Sequence, residues 1–98
     1  MAEIVLLASA KADFDAAFDW YATRSESAAT RFTEEVADAI ERASSEPDRF
    51  GRLDTGHRQA RLKRFPYRII FQVDGERLTV VAIAHHSRRP EYWQRSGE

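Results

Sequence analysis

The segment Tyr67-Arg68-Ile69-Ile70-Phe71-Gln72-Val73-Asp74-Gly75-Glu76-Arg77-Leu78-Thr79-Val80-Val81-Ala82-Ile83-Ala84 reads as two β-strands folded back on each other. Tyr67, Ile69, Phe71 and Val73 alternate with Arg68, Ile70 and Gln72, the period of a strand with two distinct faces. Asp74-Gly75 between two such runs is the signature of a two-residue type I′ hairpin turn. That turn predicts pairing of Val73 with Glu76, Phe71 with Leu78, Ile69 with Val80 and Tyr67 with Ala82, which forms one apolar face. The opposite face then carries Arg68 across from Val81, with Ile83 and His85 further along, together with Ile70, Thr79, Gln72 and Arg77. It is mixed and contains cations.

Upstream of the hairpin, His57 to Lys63 alternates Ala60 and Leu62 with Gln59, Arg61 and Lys63, which adds a basic strand. Asp48 to Gly56 reads as a loop, and before it the period becomes helical. Ala29, Phe32, Val36, Ala39, Ile40 and Ala43 form the apolar stripe of a helix that Pro47 ends. A shorter stripe, Phe14, Ala17, Phe18 and Tyr21, precedes the polar break at Arg24 to Ser27, with Ser9 as its expected N-cap. Trp20 lies off that stripe, as a flank covering the core edge or an exposed anchor for another chain. Ile4 to Ala8 is a short apolar run consistent with a buried strand. The sum is an α+β chain: an N-terminal strand and an antiparallel helical hairpin packed on a small antiparallel β-sheet.

Ninety-eight residues provide for one domain, 1–98, because a second core would leave neither half enough interior. With 43% hydrophobic and 32% charged residues, the composition is neither that of a disordered chain nor that of a fibre. No apolar run approaches the roughly 18 residues of a membrane span, and the first residues lack a basic flank, so the expected location is the cytoplasm. There is no cysteine, which excludes disulfides, thiolate chemistry and Cys-based zinc sites. The net charge of -1 conceals an asymmetry: residues 1–56 sum to -6 and residues 57–98 to +5. A basic second half suits a polyanion or an acidic partner, although it also suits charge pairing between facing layers.

The chemistry-bearing residues gather in that half. Arg68, His85, His86, Arg88, Arg89, Tyr92 and Trp93, with Arg58, Arg61, Lys63 and Arg64 beside them, combine phosphate-binding guanidiniums, an acid–base imidazole and aromatics able to stack on bases. Tyr92 and Trp93 equally fit a role in capping the core. His85 and His86 are adjacent on a strand, point to opposite faces and are not expected to share a metal; no cofactor is expected. No helix-turn-helix, phosphate loop, nucleophile elbow or glycosidase-type carboxylate pair is discernible.

The order of elements, with Ser45-Glu46-Pro47 closing the helical hairpin, Arg64-Phe65-Pro66-Tyr67-Arg68 opening a strand and Ala82-Ile83-Ala84-His85-His86-Ser87-Arg88-Arg89-Pro90-Glu91-Tyr92-Trp93 following the next, resembles the RelE/ParE superfamily of toxins from type II toxin-antitoxin modules, over nearly the whole chain. The resemblance implies a growth-inhibiting toxin, neutralised by a cognate antitoxin and tied to plasmid stabilisation. RelE-like members cleave mRNA on the ribosome and ParE-like members poison DNA gyrase; the hairpin and the strand running into His85 lean to ParE. On the RelE pattern, Arg61, Arg68 and Arg88 would hold the scissile phosphate and His85 or Tyr92 would move protons, without metal, but Gln59 stands where RelE-like enzymes carry a strand lysine. On the ParE pattern the basic face, with Arg58, Lys63, Arg64, His86, Arg89 and Trp93, would be a binding surface. A third possibility is an inactive member that binds only its antitoxin. In every case Trp20 and Trp93 are the expected antitoxin anchors.

Overall fold

The computed structural model describes residues 3–87. The hairpin is present as β4 (Tyr67–Asp74) and β5 (Arg77–His85). Its register differs from the sequence expectation, because Asp74 pairs with Arg77 and the turn is Gly75-Glu76. Gly75 has φ +63° and no non-glycine residue among those described has positive φ, so the turn has its left-handed residue at the first central position, as type II′ demands, and is not type I′. Phe71 therefore pairs with Val80 and Val73 with Leu78.

A bulge follows that the sequence did not announce. Ile70 pairs with Ala82 while Phe71 pairs with Val80, so Val81 is an extra residue on β5. Beyond it the sidedness of β5 inverts: Ile69 faces Ile83, Arg68 faces Ala84 and Tyr67 faces His85. Ile83 and His85 thus move to the helix-covered face, a correction to their predicted place beside Arg68. The other face is less mixed than expected, since Ile70, Val81, Ala82 and Ala84 form a second buried cluster with Leu7 and Leu53.

Three further strands complete the sheet: β1 (Glu3–Leu6), β2 (Gly51–Arg52) and β3 (Arg58–Arg61). The order is β1-β5-β4-β3-β2, antiparallel except for β1, which runs parallel to β5. A parallel neighbour needs a crossover connection, and the helical hairpin supplies it. The first apolar run is not a buried strand: β1 is at the edge, Ile4 and Leu6 are exposed, and Ala8 already belongs to the helix.

Two helices cover one face, α1 (Ala8–Ala22) and α2 (Glu26–Ser45). Ser25 caps α2 by accepting the Ala28 N–H at 3.2 Å. Helix α1 has no side-chain cap, since Leu7 holds the cap position. Ser9 instead donates its hydroxyl to the Val81 carbonyl at 2.9 Å, and Asp13 Oδ2 accepts the Ile83 N–H at 3.0 Å. The two stripes meet over the sheet as predicted, with Phe32, Val36, Ala39 and Ala43 of α2 buried against Ile69, Phe71 and Val80. Phe32 is the hub: its ring lies 5.6 Å from Phe14, 5.3 Å from Tyr21, 5.4 Å from Phe65 and 5.3 Å from Tyr67. Such pairs add about 0.5–1.5 kcal/mol each beyond the area they bury.

Candidate functional site

The antiparallel pairing of β3 with β4 puts Arg61 directly across from Arg68. Two cations at that spacing repel unless something anionic or hydrogen-bonding lies between them. Gln59, on the same face, partly serves: its Oε1 accepts from Arg68 Nη1 at 3.4 Å. Arg68 Nε is buried and has no hydrogen-bond partner. His86 joins this pair from the end of β5. Its pKa is lowered by loss of hydration and then by the charges of Arg61, Arg68 and His85, against a hydrogen bond to the Tyr67 backbone that pulls the other way. An imidazole whose pKa is lowered and two guanidiniums therefore lie close together at this end of the sheet. Arg61, Arg68 and His86 thus bring two guanidiniums and an imidazole within electrostatic reach of one another, the donor chemistry that an anion takes.

His85 does not belong to it. The bulge turns its ring to the opposite face, edge-on to Tyr67 at 4.9 Å. His85 Nδ1 accepts the Ser87 N–H at 2.9 Å and lies 2.7 Å from the Ser87 hydroxyl, which leaves Nε2 to carry the ring proton. Nor does Arg58 belong. It stands opposite Phe71, on the helix-covered face, and its guanidinium donates to the Phe50 carbonyl at 2.8 Å and to Asp48 at 3.2 Å. Only 16% of its side chain is exposed, so it is a tie for the loop before β3 and not a free cation for a target. Lys63 and Arg64 are exposed in the β3–β4 connection. The Arg64 N–H donates to Glu35 at 3.1 Å, which holds that connection against the acidic face of α2. Arg88, Arg89, Tyr92 and Trp93 lie outside the described residues.

A second feature forms where α1 passes the ends of β4 and β5. Asp13, Trp20, Tyr21, Pro66, Tyr67 and His85 line a groove of about 410 Å³. Trp20 is 52% exposed, so it is not a closed flank of the core. The Arg24 guanidinium lies 3.7 Å over its ring and donates to its carbonyl oxygen, which fixes the indole in place. Burial raises the pKa of both phenols, with Tyr67 pushed further by Tyr21 and Asp13. The residues here that sequence reasoning missed, Asp13 and Tyr67, carry no motif; the bulge that brings His85 to them was the missing signal.

Among the described residues no cluster of three or more His, Cys, Asp or Glu side chains forms a metal cage, and no helix is long and apolar enough to cross a membrane.

Comparison with known proteins follows the same lines. The fold is similar to a solved structure described as the chromosomal ParDE TA system from P. aeruginosa, with 22% identity and a TM-score of 0.75 over 87% of this chain and 96% of that one. No curated protein matches the sequence. The family model described as ParE toxin of type II toxin-antitoxin system, parDE, matches residues 4–90. The chain belongs to the ParE toxin family of type II toxin-antitoxin systems.

Proposed function

We propose that this toxin arrests growth by poisoning DNA gyrase, and that the Arg61, Arg68 and His86 face is the surface it presents to gyrase or to the DNA that gyrase holds. The ParE match across residues 4–90 carries this reading. The chemistry of the face supports it. One guanidinium is folded against Gln59 with a buried, unpartnered Nε. This suits adhesion to a phosphate, which would partner the orphan donor, better than a proton-transfer site that must neutralise a phosphorane.

The RelE-like reading keeps one specific support: His86 sits with Arg61 and Arg68, where a base and two cations would be needed. On that reading His86 replaces His85 as the proton carrier. The inactive, antitoxin-binding member is the third reading. The cytoplasm, which holds gyrase and ribosomes, is the proposed location. For the antitoxin, the exposed Trp20 and its groove are the proposed anchor point.

Purified toxin incubated with gyrase and supercoiled plasmid should accumulate protein-linked linear DNA. Absence of such complexes, together with cutting of ribosome-bound mRNA by the same preparation, would move the function to the RelE reading. Absence of both would leave antitoxin binding alone.

A further inference from the structure

Three aromatic rings and a carboxylate share the groove between α1 and the ends of β4 and β5. Tyr21 stands edge-on to Trp20, with ring centres 5.0 Å apart at 83°, and Tyr67 lies 6.4 Å from Tyr21 at 62°. Rings set so steeply wall a space instead of stacking into a block, and an aromatic wall offers the negative face of its π-system to a cation. Asp13 adds a full negative charge. Its carboxylate is held in place by the Ile83 N–H at 3.0 Å. Burial first, then Tyr21 and Asp13, raise the Tyr67 pKa, so the field of that carboxylate reaches the rings. No Lys or Arg is among the described residues that line the groove, and an anion would meet a carboxylate there. The molecule itself displays the preference: the Arg24 guanidinium already lies 3.7 Å over the Trp20 ring.

We propose that this groove is a binding site for a free organic cation, a guanidinium or alkylammonium group on a short apolar stem. The charged head sits among the rings near Asp13, and the stem lies along Ala16 and Pro66. Volume favours a free ligand over the side chain of a partner. At about 410 Å³ the groove falls within the roughly 300–1,000 Å³ of pockets that enclose a whole small molecule, more than the tip of one side chain fills. Where the antitoxin anchors on Trp20, as proposed above, the two compete, and a bound cation would delay neutralisation of the toxin.

The test titrates the full-length toxin, without antitoxin, with butylguanidine and with butylurea, an uncharged analogue of nearly the same shape. The NMR signals of the Trp20 indole N–H and of the Tyr21 and Tyr67 rings report binding. The cation should give a saturable shift with a Kd of about 1 mM or tighter, and the urea should bind at least about tenfold more weakly. Asp13→Asn keeps an acceptor for the Ile83 N–H and should lose about tenfold in affinity for butylguanidine. Trp20→Leu, at an exposed position, should lose about threefold or more. Equal shifts with butylurea would make the groove merely apolar, and the absence of a saturable shift would leave it without a ligand; either result overturns the inference. Binding that emerges only in the double variant Arg88→Gln with Arg89→Gln would overturn it too, by making an arginine of the chain itself the occupant. Because the toxin is tested alone, these outcomes leave the antitoxin anchor untouched. That reading fails separately, if added antitoxin forms its complex without displacing butylguanidine.

Discussion

The carboxylate of Asp13 accepts the backbone N–H of Ile83 at 3.0 Å, across 70 residues of sequence, and so ties helix α1 to the strand just past its bulge. Ser9 makes the matching tie to the Val81 carbonyl. Together they satisfy backbone groups that neither β1 nor β4 reaches. The bulge decides which histidine joins the cationic face, so this tie links the first helix to the proposed target surface.

Removing it has a defined cost. Asp13→Ala leaves the Ile83 N–H without its partner and should destabilise the toxin by about 1–3 kcal/mol in urea denaturation, whereas Asp13→Asn, which retains an acceptor oxygen, should cost less.

The two arginines that the sequence sets on neighbouring strands of one basic surface should separate cleanly. Arg68→Ala is expected to abolish toxicity on induction with little loss of folding. Arg58→Ala should instead reduce stability by about 1–3 kcal/mol through the Phe50 carbonyl and Asp48 it leaves behind, and keep toxicity wherever the variant remains folded. Melting curves alongside growth assays distinguish the two.

At the groove, Trp20→Ala should weaken the antitoxin complex by at least about 1 kcal/mol, measured by calorimetry, because the indole is exposed and is the anchor proposed above. An unchanged affinity would place the antitoxin elsewhere.

Acid should loosen the fold in a predictable window. His57 and His86 are both held below the usual histidine value of 6.5, His57 by burial and His86 by burial and its arginine neighbours. The unfolded chain therefore takes up protons first, and stability that is full above 6.5 declines as pH falls through that value towards the lower folded pKa values. The double variant His57→Gln with His86→Gln should flatten the stability profile there.

The alternation in Tyr67 to Val73 and the stripe through Phe32, Val36 and Ala43 made the strands and helices readable, since each buries one face and its period shows in the residues. The turn type was misread because Asp-Gly fits two hairpin geometries, and only the cross-strand register separates them. The bulge at Val81 was invisible: in the run Val80-Val81-Ala82-Ile83-Ala84 apolar residues fill both faces, so no polar residue marks where sidedness inverts. That one residue moved His85 away from Arg68 and put His86 in its place. Arg58 was misassigned for a related reason, since charge alone does not show whether a guanidinium faces solvent or folds over Phe50.

Gyrase poisoning is tested most directly by pulse-labelling DNA and protein synthesis in the minutes after the toxin is induced without its antitoxin. DNA synthesis should fall first, with translation following later. A fall in protein synthesis ahead of DNA synthesis would contradict the account and make cleavage on the ribosome, at Arg61, Arg68 and His86, the function of this face.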